Sequence, residues 1–121
     1  IDALCDRRGI PYVHVLQPTL HDEGSKPLTD EERRQGVAID AWVEACRIGY
    51  PMLRERGRAL ADAGVTFVDG SMLFRDVEET LYFDACHFGR AGTDLVADAL
   101  VAALLERLPP PPADEELPAS R

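Results

Sequence analysis

The opening segment IDALCDRRG places Ile1, Leu4 and Cys5 at helical spacing. Arg7 and Arg8 suit the negative end of a helix dipole and Gly9 supplies a C-cap, so the pattern predicts the end of a helix. The run IPYVHVLQP then changes character: Tyr12, Val13, Val15 and Leu16 are mostly β-branched or aromatic, and Pro18 ends them. A nearly continuous apolar strand after a helix predicts a parallel sheet covered on both faces. Residues 19 to 28, with Gly24, Ser25 and Pro27, read as a loop at the carboxyl end of that strand.

From Thr29 the period returns to that of a helix. Thr29 and Glu32 form a capping-box pattern. Val37, Ala41, Ala45 and Ile48 recur at steps of three or four, with Trp42 and Cys46 widening a stripe read as core. Pro51 is expected to kink or restart this helix, whose second part runs to about Ala63 before Gly64 closes it. VTFVD is the next strand, ending at Asp69-Gly70. A short helical turn is expected around residues 77 to 80, then a loop. From about Thr93, TDLVADALVAALLERL places Val96, Leu100, Ala103 and Leu104 on one side of an amphipathic helix. Four prolines at 109 to 112 stop it, and residues 109 to 121 read as a Pro-rich, acidic, disordered tail. Helices alternating with parallel-type strands indicate an α/β layered fold.

Composition narrows this picture. With 121 residues, one domain is the expectation. The net charge of -9 repels phosphate backbones, so nucleic acid is not an expected partner. No stretch approaches the roughly 20 apolar residues of a transmembrane helix. The three cysteines, Cys5, Cys46 and Cys86, match neither a CxxC pair nor a zinc-ligand spacing and read as reduced thiols. Because the chain opens on a helix end and contains only two clear strands, it is expected to begin inside a larger fold. Any targeting segment would lie upstream, so no compartment follows.

The segment that carries chemistry is YFDACHFGRAG, residues 82 to 92. A histidine becomes an effective general base when a carboxylate holds one ring nitrogen and the other faces the nucleophile. The spacing from Asp84 to His87 permits that in a tight turn. It equally permits an aspartate that caps a loop beside a surface histidine. Spacing alone favours the second; position sharpens the first, since the segment lies between the last strand and the last helix, at the carboxyl edge of an α/β sheet. Cys86 reads as a small buried packing residue whose side chain points away from that of His87. His14 reads as a satisfied face or core histidine. His21, Asp22 and His87 match no defined metal-ligand spacing. Gln17 is placed either facing the cleft or bonding the loop backbone.

VTFVDGSMLFRDVEETLYFDACHFGRAGTDLVADALVAALL resembles the C-terminal block of the SGNH hydrolases, also called the GDSL esterase/lipase family. That block carries the catalytic Asp and His as D-x-x-H just before the terminal helix, often followed by glycine. Here the matching residues are Asp84 and His87, with Gly89 and Gly92 behind them. GIPYVHVLQPTL is also similar to a strand and loop of bacterial members, so the likeness covers residues 1 to 108. It implies a three-layer α/β/α SGNH-hydrolase (flavodoxin-like) fold, of which this chain holds only the C-terminal strands and helices. It further implies hydrolysis of a small-molecule carboxylic ester through a serine acyl-enzyme, with His87 as base, Asp84 as its orienter, and no metal or organic cofactor. The family's G-D-S nucleophile and the glycine and asparagine of its oxyanion hole have no counterpart here: the serines are Ser25, Ser71 and Ser120, and there is no asparagine. Ser71 lies in a permuted DGS after the apparent last strand, where the nucleophile does not belong. The expected partner is therefore the missing N-terminal half of the same domain. Alone, the chain is expected to be inactive, to expose an unpaired sheet edge and to fold poorly. An alternative from another class is a non-catalytic, truncated α/β module with a binding or structural role.

Overall fold

The computed structural model describes residues 1–108; the proline-rich acidic tail lies outside them. Helix α1 spans Asp2–Asp6. It closes where Gly9 takes φ +62° and the Ile10 amide donates back to the Cys5 carbonyl at 3.0 Å. This left-handed position is one that glycine occupies without a Cβ penalty.

Strand β1 is His14–Leu16 and β2 is Phe67–Asp69. They pair in parallel, His14 opposite Phe67 and Leu16 opposite Asp69. The apolar run of residues 10 to 18 thus yields a much shorter strand than its pattern predicts, because a run becomes strand only where a neighbour meets its amides. Each strand has one partner, so both outer edges of the sheet are unpaired among the described residues. Val15, Leu16 and Val68 remain half-buried for the same reason, not covered on both faces as expected.

The helix expected from Thr29 is two helices. α2, Asp30–Gln35, carries the predicted capping box in full; α3, Asp40–Asp62, follows after a break. Gly36 marks the break. A Cβ there would lie 2.6 Å from the Glu32 carbonyl oxygen and 2.9 Å from a Leu20 methyl, so a side chain at this position would collide with the last turn of α2 and with Leu20. Pro51, expected to kink or restart the helix, lies inside α3 without ending it. α3 packs on the sheet through Gly57, whose missing side chain admits the Phe67 ring. Tyr50 adds a hydrogen bond from Oη to the Gln17 carbonyl at 3.0 Å, and burial helps push its phenol up to about 12. The stripe read as core is otherwise outside: Trp42 is 45% exposed, Ile48 50% and Val37 75%. No helix of the described residues is long and apolar enough to cross a membrane.

Turns occupy residues 71 to 76, before the position expected for them, and 77 to 80 are not helical. α4 runs over Arg90–Leu105, one turn earlier than its pattern suggested, and packs against β2. The buried apolar residues are Leu20, Phe74, Leu81 and Tyr82, with Leu28, Leu73, Val77, Phe88, Leu95 and Val96 packed around them. The core is therefore gathered beneath the two loops that leave the carboxyl ends of the parallel strands. In open α/β sheets that edge is where ligands bind.

Candidate active site

The segment around Asp84 and His87 is a closed turn. Tyr82 and Phe88 form an antiparallel bridge, the Gly89 amide donates to the Leu81 carbonyl at 2.8 Å, and the Phe83 amide donates to the His87 carbonyl at 3.1 Å. Its base is held by three rings: Phe74, Tyr82 and Phe88 meet edge to face with centroids 5.3–5.8 Å apart. Such geometry places ring edges on ring faces and adds to area burial. Gly92, in the first turn of α4, lets Phe88 approach to where a Cβ would stand 3.0 Å from it.

Glu32 fixes the turn from the other side. Its carboxylate is fully buried; Oε1 accepts from the Leu81 amide (2.8 Å) and the Tyr82 amide (3.1 Å), and Oε2 accepts from the Thr29 amide (2.9 Å) and pairs with Lys26 Nζ (3.0 Å). Burial opposes ionisation, but the three amides and the Lys26 ammonium outweigh it, and the Glu32 carboxyl sits below its ordinary value. The Thr29 and Thr80 hydroxyls meet at 2.9 Å beside this junction. The capping box seen in the sequence is thus also a clamp on a loop some fifty residues downstream.

Within the turn, Asp84 Oδ1 accepts from the backbone amides of Cys86 (2.8 Å) and His87 (2.7 Å), while Oδ2 lies 2.8 Å from His87 Nδ1. Those amides and the His87 ring hold the Asp84 carboxyl well below the usual carboxylate range. An ionised carboxylate only accepts, so Nδ1 carries the proton of the neutral ring and Nε2 keeps its lone pair. The ring stacks on Phe83, centroids 6.1 Å apart and planes 12° from parallel, and its side chain is 68% exposed. The sequence pair is therefore brought together in the orientation that general-base chemistry requires.

Cys86 departs from its expectation. It is half-buried, and Sγ lies 3.4 Å from His87 Nδ1, because the turn folds the two neighbouring side chains to one side instead of apart. Burial and the Asp84 carboxylate push its thiol up, which disfavours the nucleophilic thiolate.

The other candidates are distributed differently. His21 is half-buried, with Nε2 buried and without a hydrogen-bond partner among the described residues; burial lowers its pKa against the opposing pull of the Ala85 carbonyl. Asp22 is buried and paired with the Arg54 guanidinium, so it is not free to join His21 and His87 around a metal. Arg54 also donates to Ser71 Oγ at 3.1 Å, and Ser71 donates to Asp69 Oδ1 at 2.6 Å. Ser71 is fully buried in this network, a strut between α3 and the end of β2. Ser25 is buried as well and donates to the Thr19 carbonyl at 2.6 Å. His14 is exposed on the sheet edge with Nδ1 3.1 Å from Tyr12 Oη, and Gln17 is exposed, only its carbonyl being used by Tyr50. Sequence reasoning missed the clamp by Glu32 and Lys26, the Arg54 network and the aromatic base; each joins residues too distant in sequence to leave a local pattern.

The chain matches no family model, no curated protein and no solved structure.

Proposed function

We propose that this chain supplies the base and orienting carboxylate of a serine ester hydrolase of SGNH type, whose nucleophile and oxyanion donors come from polypeptide outside residues 1–121. The observation that carries the reading is the 2.8 Å contact of Asp84 Oδ2 with His87 Nδ1, in a turn that leaves the opposite ring edge open. His87 Nε2 takes the proton of the serine hydroxyl as its oxygen attacks the ester carbonyl, and Asp84 stabilises the imidazolium formed. The same proton passes to the leaving alkoxide as the tetrahedral intermediate collapses. Water, deprotonated in turn by Nε2, attacks the acyl carbon, and that proton returns from Nε2 to the serine oxygen as the acid leaves. The substrate class is a carboxylic ester of a sugar, a lipid or a small alcohol, and the reading calls for no metal or organic cofactor.

The free edges of β1 and β2 and the exposed apolar stripe of α3 support the reading, since they are surfaces that further strands and helices of one sheet would cover. The absence of an accessible serine among the described residues favours a second reading, a non-catalytic module. Turnover of a short-chain aryl ester decides between them, using the protein extended by its upstream segment. His87→Ala is expected to lower kcat by on the order of 10⁴–10⁶, and Asp84→Asn by about 10⁴. Equal measurable rates for the parent and His87→Ala remove His87 from the chemistry, and no turnover by the parent leaves the non-catalytic reading.

A further inference from the structure

The Asp84 turn gathers a third side chain that the proposed hydrolysis does not use. The oxygen, sulfur and nitrogen donors of Asp84, Cys86 and His87 all lie within 4.8 Å of one another. We propose that they form a binding site for a thiophilic divalent cation of the zinc class.

Donor type and geometry carry the inference. A carboxylate, a thiolate and an imidazole are the ligand set that zinc-class ions take, at about 2.0 Å for oxygen and nitrogen and about 2.3 Å for sulfur. Tetrahedral bonding at those lengths sets nitrogen and sulfur about 3.6 Å apart and nitrogen and oxygen about 3.3 Å apart. Here Sγ is 3.4 Å and Oδ2 2.8 Å from Nδ1. The sulfur stands at ligand distance from Nδ1 but lies beside the ring, 4.0 Å from Nε2, so the exposed His87 ring must turn to aim the Nδ1 lone pair at a shared cation, and the same turn opens the shorter gap. Asp84 Oδ1 stays occupied by the Cys86 and His87 amides, so Oδ2 is the ligating oxygen and its carboxylate is oriented by backbone. That hydrogen bonding to a ligating carboxylate is the supporting arrangement metal sites use. The turn is closed by its own backbone bonds and the three-ring base, so the three donors are held close together before a cation arrives, and water completes the coordination on the exposed side.

Protons balance simply. The thiol loses its proton to solvent, and the imidazole proton moves from Nδ1 to Nε2 as Nδ1 binds the cation. One proton is released per ion. Nε2 then carries hydrogen and no lone pair, so the cation takes away the base. This consequence rests on the hydrolase reading above; the binding itself does not.

Cadmium titration of the full 121-residue chain tests the site, with Cys5→Ser and Cys46→Ser introduced so that Cys86 is the sole thiol. The expected result is a thiolate-to-cadmium charge-transfer absorption that saturates at one equivalent, is lost in Cys86→Ser, and needs at least about tenfold more cadmium in either Asp84→Asn or His87→Gln. Asp84→Asn keeps an oxygen for the turn amides, and an unchanged circular dichroism spectrum verifies the fold. Absorption that is missing in the parent, or equally strong and tight in Asp84→Asn and His87→Gln, overturns the proposal, the latter by showing a lone thiolate at work. None of these readouts involves ester hydrolysis, so failure of the site and failure of the hydrolase reading are separable.

Discussion

Replacing Glu32 with glutamine tests whether a helix cap holds the Asp84 turn in place. The change keeps volume and leaves Oε1 able to accept from the Leu81 and Tyr82 amides. It turns the second oxygen into an NH₂ facing two other donors, the Thr29 amide at 2.9 Å and Lys26 Nζ at 3.0 Å. Lys26 and Glu32 are both fully buried, so the substitution strands an ammonium inside the protein. Removing one partner of a buried pair costs about 3–5 kcal/mol. Hydrogen bonds to charged groups contribute about 1.5–3 kcal/mol each, so the broken contacts account for a loss of that size. A complete domain has about 5–15 kcal/mol in total; with both sheet edges open this chain is expected to have less, and a loss of that size should leave the variant largely unfolded at urea concentrations where the parent is still folded. Urea titration followed by circular dichroism measures the loss. Hydrogen exchange at the Leu81 and Tyr82 amides locates it. A loss below about 1 kcal/mol, with those amides still protected, would refute the clamp. The pH dependence has a definite sign as well. The folded carboxyl lies below its ordinary value, so its contribution is complete above about pH 4.3. It is lost as pH falls through the lower, folded value. Parent stability should decline in that acidic window, and the Glu32→Gln curve should be flatter there.

Two further substitutions probe the supports on either side of the sheet. A Cβ on Gly57 would stand 2.0 Å from the Phe67 ring tip, so Gly57→Ala should cost about 1–3 kcal/mol by overpacking despite a helix-propensity gain of about 1 kcal/mol. In a Phe67→Leu background the same change should cost little or nothing, and an unaltered penalty in denaturant titration would disprove the contact. Arg54→Met leaves buried Asp22 without its cation and Ser71 without a donor. About 2–4 kcal/mol should be lost, less than for a fully buried pair because Arg54 is partly exposed. A chemical-denaturation midpoint unchanged from the parent would show that the network is decorative.

Local pattern and local structure agree wherever the determinant is short in sequence. Gly9 in the left-handed region, the reciprocal Thr29 and Glu32 cap, the β-branched VTFVD run and the Asp84 to His87 spacing each express backbone sterics or hydrogen bonding within a few residues. Periodicity misled where the third dimension intervenes. The stripe through Trp42 has the spacing of a core face but meets no partner among the described residues, and the helix predicted from Thr29 breaks at Gly36, where Leu20 packs in from another loop.

The sequence by itself determined which residues could form a base and its orienter, because a carboxylate three positions before a histidine can close on it within one turn. It also determined that no serine stands where the resemblance requires the nucleophile. Only the tertiary structure decided that Asp84 and His87 are held in that geometry, that Cys86 turns toward them, and that Ser71 is buried as a strut. The physical reason is distance along the chain: the Glu32 clamp, the Phe74 to Phe88 ring cluster and the Arg54 network join groups from 14 to about 50 residues apart. Such contacts form only after the chain has folded, and single-residue periodicity carries no record of them.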